Sequence, residues 1–297
     1  MPTLSQVLQD AQNQQRAVGH FNIGDFVFLK GVIAAARALN VPVLVGASEG
    51  EREFLGTRQL AALVKSLREE YDLPVFLNAD HTHSLSKAEE AAKAGFDAVV
   101  FDLSTLPLEE NTRRTRQAVE ALKSINPTIL IEGEIGDIGS GSEIHEDGPR
   151  DARILTIVSE AKQFVAATRV DILAPAVGNT HGMRKAMVAG EEKKRLDIGR
   201  IGQIKAAVGI PLTLHGGSGT ADDDLGGAIH AGINIVHINT ELRLALRHGL
   251  QQGLHRREEE VVPYKILPSA VEAIQQVATS RLGLLTNPLA RHATGSF

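Results

Sequence analysis

The chain has 297 residues, no cysteine and a formal net charge of −5, with both signs mixed along its length. This excludes disulfides, a thiolate nucleophile and cysteine metal sites, and it argues against the basic face that a nucleic-acid partner needs. A hydrophobic fraction of 43% supports a full core, no apolar run approaches the length of a membrane span, and the opening MPTLSQVLQDAQNQQ is polar rather than signal-like. The expectation is a soluble cytoplasmic protein with no nucleic-acid and no membrane partner.

Leu4 to Gln15 predicts a short amphipathic helix with Leu4, Val7, Leu8 and Ala11 on one face. Short apolar runs then alternate with helical patterns. Strands are predicted at 17–22, 42–47, 74–79, 98–101, 128–131, 172–176, 211–214 and 234–238. The helices that follow them are predicted at 28–39, 57–71, 85–94, 108–125, 151–168, 198–208, 222–231 and 240–255. A last helix at 269–280 precedes a frayed end. Gly95 falls where a helix C-cap glycine belongs. Residues 136–150 form a long Gly-rich loop, and 179–196 a long polar connection.

Parallel βαβ crossovers are right-handed, so eight such units either spread into an open sheet or close, and eight favour closure. The predicted fold is α/β: a (β/α)8 TIM barrel with extra N- and C-terminal helices. No linker rich in Pro, Gly or Ser divides the chain, so residues 1–297 are expected to form a single domain.

In such a barrel the C-terminal strand ends form the active face. Those ends read Asn22, Ser48, Asp80 with His81, Asp102, Glu134, His181 a few residues on, His215 and Asn239. Nearly every strand ends in a group able to bind metal or move a proton. Three neutral imidazoles, His81, His181 and His215, fit an open zinc site that keeps a position for substrate. Asp80 precedes a ligand, so one of the pair can ligate while the other acts on protons. Asp102 and Glu134 read either as partners that fix imidazole tautomers or as a second cation site.

The stretch Leu212–Thr220 carries both halves of the chemistry. A buried strand ends in His215, and three glycines and Ser218 follow within four residues. Glycines let backbone N–H groups turn toward an anion, and Ser218 adds a hydroxyl. Loops after strands seven and eight are the usual phosphate site of a barrel, and Asn239 and Thr240 lie on the second of them. Position alone therefore makes a small phosphorylated substrate reasonable.

These residues resemble the class II fructose-bisphosphate aldolases, within the wider group of ketose-bisphosphate aldolases. The matching stretches are NADH at 78–81, FDLSTLPLEEN at 101–111, EGEIG at 132–136, GNTHG at 178–182 and LHGGSG at 214–219. Their order and spacing cover most of the chain. The resemblance implies zinc on His81, His181 and His215, with Asp102 and Glu134 at a second metal location. It also allows a second divalent or a monovalent cation. It implies Asp80 as the group handling the proton on the aldehyde half. Gly182, Gly216, Gly217, Ser218, Asn239 and Thr240 would hold a ketose phosphate, with Ser48 in contact with substrate; Asn22 and His237 are further candidate substrate contacts at the same rim. Glu143, in the loop after strand five, would take the substrate proton. The family's dimers or tetramers imply a homo-oligomer.

Breaking a C3–C4 bond in the retro-aldol sense leaves an enediolate, which needs a cation or a lysine Schiff base to absorb charge. No lysine sits within a predicted strand, and Lys185 lies in a loop, which favours the metal route. Three places depart from the family. The loop 139–143 lacks the usual paired-glycine, paired-acid form. Ile235-Val236-His237 stands where Lys-Ile-Asn or Lys-Val-Asn is usual, so His237 either replaces an amide contact or adds a fourth imidazole. Gly19-His20-Phe21-Asn22 stands where Pro-Ala-Phe-Asn is usual. Three functions are compatible with the sequence: cleavage of fructose 1,6-bisphosphate, cleavage of another phosphorylated ketose such as tagatose 1,6-bisphosphate, or non-catalytic sugar-phosphate binding.

Overall fold

The computed structural model describes residues 1–136, 138, 139, 141, 143–146 and 155–288. Eight parallel strands close into a barrel: Val18–Asn22, Val43–Ala47, Val75–Thr82, Ala98–Phe101, Leu130–Ile135, Ile172–Pro175, Leu212–Leu214 and Ile233–Ile238. Each neighbours the strand before and after it in sequence, and the first pairs with the last through Val18–Phe21 and Ile235–Ile238. The predicted barrel, with its extra helices at both ends of the chain, is the fold observed.

Differences from the sequence reading lie mostly in the connections. The helix after the fifth strand spans Val158–Thr168; of the earlier start expected for it, 151–154 fall outside the described residues. A short helix, Glu49–Leu55, follows the second strand ahead of the predicted one at Thr57–Tyr71. Within the polar connection 179–196, Met183–Arg184 pairs with Ile144–His145 in a two-stranded ribbon above the barrel, and Lys185–Val188 forms one helical turn. The final helix runs from Pro268 to Thr286.

Two apolar layers hold the barrel. The larger lies between strands and helices. The smaller fills the N-terminal end of the barrel, where Val18, Leu44, Phe76, Ala98, Ile172 and Ile235 meet Leu4, Val7 and Leu8 of the first helix, Leu4–Asn13. That helix starts on a capping box: Thr3 Oγ1 accepts from the Gln6 N–H while Gln6 Oε1 accepts from the Thr3 N–H. The final helix packs on Phe26–Leu39 and Thr240–Arg256, and the absence of a side chain at Gly31 lets Ile274 approach. Among the described residues no helix is long and apolar enough to cross a membrane.

Candidate active site

The barrel's C-terminal mouth is built by the two-residue repeat of its strands. On the third strand the register shifts between Ala79 and Thr82, and His81 adopts φ +36°. That conformation costs a residue with a side chain roughly 1–3 kcal/mol. The jog lets two successive residues, Asp80 and His81, face one pocket where strict alternation would turn one away. Buried Arg52 braces it, donating to the carbonyls of Ala47 (2.6 Å) and Asp80 (3.3 Å) and to Thr82 Oγ1 (3.0 Å).

The structure brings His81, His181 and His215 together. Ring centroids lie 4.7 Å apart for His81 and His181, and 4.8 Å for His81 and His215. Each ring is fastened through one nitrogen. His81 Nδ1 lies 2.8 Å from Asp102 Oδ2, His181 Nδ1 donates to the Gly139 carbonyl at 2.7 Å, and His215 Nε2 lies 2.6 Å from Glu132 Oε1. One nitrogen from each of the three rings lies within 4.8 Å of the others. This is how ligand imidazoles are usually held: the second nitrogen fixes tautomer and ring angle.

The polar atoms left over test whether a metal suits the site. His215 Nδ1 and Glu134 Oε2 stand 3.1 Å apart, both fully buried, yet neither has a hydrogen-bond partner. Buried polar atoms are nearly always paired, and leaving one unpaired costs about 1–3 kcal/mol. Two unpaired lone-pair donors beside two further imidazoles fit a divalent cation. Asp102 is used otherwise: Oδ2 faces His81, and Oδ1 accepts from Ser104 N–H (3.0 Å) and Oγ (2.7 Å). Of the two acids expected near a second cation, Glu134 has the open oxygen and Asp102 orients a ring.

Asp80 is buried, its Oδ2 accepting from Asn22 Nδ2 at 2.8 Å and its Oδ1 lying 3.5 Å from His237 Nδ1. Burial opposes its ionisation, but His81, His20 and His215 together with the Asn22 amide outweigh burial and hold the carboxyl below its ordinary range. Burial likewise opposes charge on His81, where Asp80 and Asp102 prevail and push the pKa up to about 9. His181, half-buried and facing the His81 and His215 rings, is pushed down to about 3, chiefly by loss of solvent. Burial raises Glu134.

On the opposite side Ser218 ties the two phosphate loops together. Its Oγ accepts from Asn239 N–H at 3.1 Å, at the start of the helix Thr240–Arg256, which leaves its own proton free to donate. Asn239 Oδ1 is buried without a partner. Gly182, Gly216, Ser218, Asn239 and Thr240 line the pocket together with Asn22, Asp80, His81, His181 and His237. A helix N-terminus, turned glycines and a hydroxyl at one point form an anion cradle.

Of the residues expected to touch substrate or move its protons, three are not brought into the pocket. Ser48 caps the helix Glu49–Leu55, bonded to Glu51 through both its N–H and its Oγ. Gly217 lies behind the cradle, its N–H donating to the His237 carbonyl at 2.9 Å, and a Cβ there would meet that oxygen at 2.8 Å. Glu143 sits exposed on the outer ribbon, in a groove with Thr240 and Arg243, and its carbonyl accepts from Met183 N–H.

The structure also gives places to Glu132, His20 and Asn78, to which the sequence reading assigned no role, and shows what surrounds His237. Glu132 fastens His215 and accepts from Thr213 Oγ1 at 2.7 Å. His20 stacks on His237 with centroids 3.5 Å apart and ring planes 7° apart, and His237 in turn stacks on His215 at 4.2 Å. Asn78 holds His20 Nε2 at 3.1 Å, and Gly46 leaves the space that its ring fills. His20, Asp80 and His237 each offer a ligand atom within 4.8 Å of the others, but the near-parallel ring planes run the His20 and His237 lone pairs alongside one another instead of toward one point. A two-residue step down each strand finds these residues: Asn22 to His20, Asp80 to Asn78, Glu134 to Glu132, Asn239 to His237.

With that geometry in hand, comparison with known proteins gives one answer. The family model described as fructose-bisphosphate aldolase class-II matches residues 2–287. The chain belongs to this family, and it is a carbon–carbon lyase of the aldolase type. A fructose-bisphosphate aldolase of Staphylococcus aureus is 33% identical over 287 residues, covering 95% of this chain and 96% of its own. Among solved structures, the YdjI aldolase of Escherichia coli K12 superposes with a TM-score of 0.78 at 26% identity, over 96% of this chain and 97% of that one. A fructose-bisphosphate aldolase of Campylobacter jejuni, 20% identical, shares the fold with a TM-score of 0.76 over 95% of this chain and 93% of its own. The family is generally metal-dependent, in keeping with the donor groups at the mouth.

Proposed function

We propose that this enzyme is a zinc-dependent aldolase that reversibly cleaves fructose 1,6-bisphosphate to dihydroxyacetone phosphate and glyceraldehyde 3-phosphate. The observation that carries the reading is the convergence of His81, His181 and His215, each fastened through its second nitrogen, across one pocket from an anion cradle. In this reading those three imidazoles hold the zinc, with Glu134 able to add an oxygen. Bound there, zinc supplies Lewis acidity toward the oxygens of the ketose.

The chain's own residues then do the following. Gly182, Gly216, Ser218, Asn239 and Thr240 bind the phosphate on the ketone half. Asn22 orients Asp80, and the ionised Asp80 carboxylate takes the proton from the C4 hydroxyl as the C3–C4 bond breaks and the C4 carbonyl forms. The electron pair stays on the three-carbon half as an enediolate. Glu143, carried on the outer ribbon, returns a proton to C3 of that half when the ribbon folds inward. In the condensation direction the same two groups exchange roles. His237 presents a ring where the family has an amide, which favours as second reading a different phosphorylated ketose such as tagatose 1,6-bisphosphate. We also place the protein in the cytoplasm as a homo-oligomer, dimer or tetramer, with 1–297 acting as one domain.

Product analysis on a panel of ketose bisphosphates, with and without chelator, tests the reading. Fructose 1,6-bisphosphate should yield both triose phosphates, chelation should stop the reaction and zinc should restore it. Preference for another ketose would replace the substrate, and activity indifferent to chelation would remove the metal. For Glu143→Gln, exchange of the triose phosphate C–H proton with solvent should fall at least about 10²-fold. Normal exchange would hand the role to Glu134 or His237.

A further inference from the structure

Lys194 is 1% exposed and takes no part in the chemistry above. Its ammonium donates to three backbone carbonyls: Thr180 at 2.7 Å, Gly182 at 2.6 Å and Gly216 at 2.9 Å. Thr180 and Gly182 flank His181, and Gly216 follows His215. Three oxygens from two loops thus meet at one buried ammonium.

The surrounding backbone is shaped for this. Gly182 and Gly216 have φ of +69° and +60°, and a Cβ on Gly216 would strike the Thr180 carbonyl, so the loops touch where their oxygens turn inward. The Lys194 backbone is fixed separately. Its N–H donates to the Gly219 carbonyl at 2.8 Å, and its carbonyl accepts from Ala221 N–H at 3.2 Å. The side chain is therefore anchored behind the phosphate loop and runs back beneath the cradle.

We propose that Lys194 is a tethered monovalent cation, whose ammonium fills a carbonyl cage and sets the spacing between the His181 loop and the Gly216–Ser218 loop. Rings of backbone carbonyls are what a potassium ion accepts in place of its hydration shell, and ammonium is close to potassium in size. An attached ammonium does the same work without exchanging with solvent. It also places a fixed positive charge beneath the anion cradle. Lys194 is a positioning residue. The role rests on the phosphate and imidazole assignments under the proposed function, and the test below separates the two.

The test is Lys194→Met, which keeps the linear stem and removes the charge. Zinc-loaded wild type and variant are compared in tetramethylammonium salt exchanged stepwise for potassium, sodium or ammonium at constant ionic strength. Wild type should be indifferent to the exchange in KM and in melting temperature. The variant in tetramethylammonium should show a KM for fructose 1,6-bisphosphate raised about tenfold, and potassium or ammonium should lower it again and raise the melting temperature. Wild type that needs potassium would overturn the proposal, as would a variant equally impaired in every salt or not impaired at all. A variant that folds only in potassium or ammonium supports it, and one that folds in neither overturns it. Melting needs no turnover, so a wild type that cleaves no ketose bisphosphate sinks the substrate reading and leaves the Lys194 result to be read by itself.

Discussion

The two ends of the barrel interior are made by the same strands and have opposite chemistry. At the N-terminal end Val18, Leu44, Phe76, Ala98, Ile172 and Ile235 pack against Leu4, Val7 and Leu8 with no polar side chain among them. Two residues further along the strands stand His20, Asn78, Glu132 and His237, and two further again Asn22, Asp80, Glu134, His215 and Asn239. Among the described residues, eight buried side-chain atoms lack a hydrogen-bond partner: seven lie in these two upper layers, and the eighth is Thr220 Oγ1, just past the phosphate loop. Left unpaired, such an atom costs about 1–3 kcal/mol, so the mouth is the end that binding completes, while the apolar end is complete in itself. The comparison teaches that one end sets stability and the other sets chemistry, and substitutions should separate them.

The largest effect is expected at the mouth. His215→Ala removes one of three proposed ligands and strips Glu132 of its buried partner. Elemental analysis should find zinc content near zero, and cleavage should be lost with it. Full zinc retention would remove His215 from the ligand set. Asp80→Ala comes next. Zinc should stay at the wild-type level while kcat falls by about 10²–10⁴. Turnover near wild type would mean that another group moves the proton.

The apolar end should answer in the other currency. Leu8 is 2% exposed in the first helix and packs into the lower layer. Leu8→Ala should reduce unfolding free energy by about 2–5 kcal/mol in a urea titration, with kcat/KM and zinc content unchanged. If zinc content or KM moved as well, the two ends would be coupled and the contrast would fail.

How much of this was legible in the sequence follows from the same layering. The strands and their order could be read because buried parallel strands are short apolar runs between helical patterns. The rim could be read because each strand stops at a polar residue. His20, Asn78 and Glu132 lie inside the strands, where a polar residue looks like a break in an apolar run, and only the two-residue step places them inside the barrel. Ser48 caps a helix outside the pocket lining: a serine at a strand end serves equally as a helix cap, and Glu51 completes the box. Lys194 gave no local signal, since its three partners are backbone atoms of residues at 180, 182 and 216.

The smallest expected effect sharpens the comparison within the mouth itself. His237 is buried between the His20 and His215 rings and still lines the pocket, with Nε2 unpartnered and Nδ1 3.5 Å from Asp80 Oδ1. Its neighbours are chiefly imidazoles. Burial first, then His20 and His215, holds its pKa well below the ordinary value, so the ring is neutral and offers one N–H and one acceptor. An amide at this position would offer the same pair of functions on a shorter, narrower group, and would leave His20 without the face it stacks on. If the ring only replaces the amide, His237→Asn should keep or raise fructose 1,6-bisphosphate cleavage. If the ring selects the sugar, the same change should alter the ratio of kcat/KM between fructose and tagatose bisphosphates by about 1–3 kcal/mol, the worth of one polar partner. A His20→Ala variant distinguishes contact from support: it should shift that ratio in the same direction but less, because it loosens the ring without removing it. Unchanged ratios in both variants would make the stack a filler of the barrel and leave selection to the phosphate loops alone.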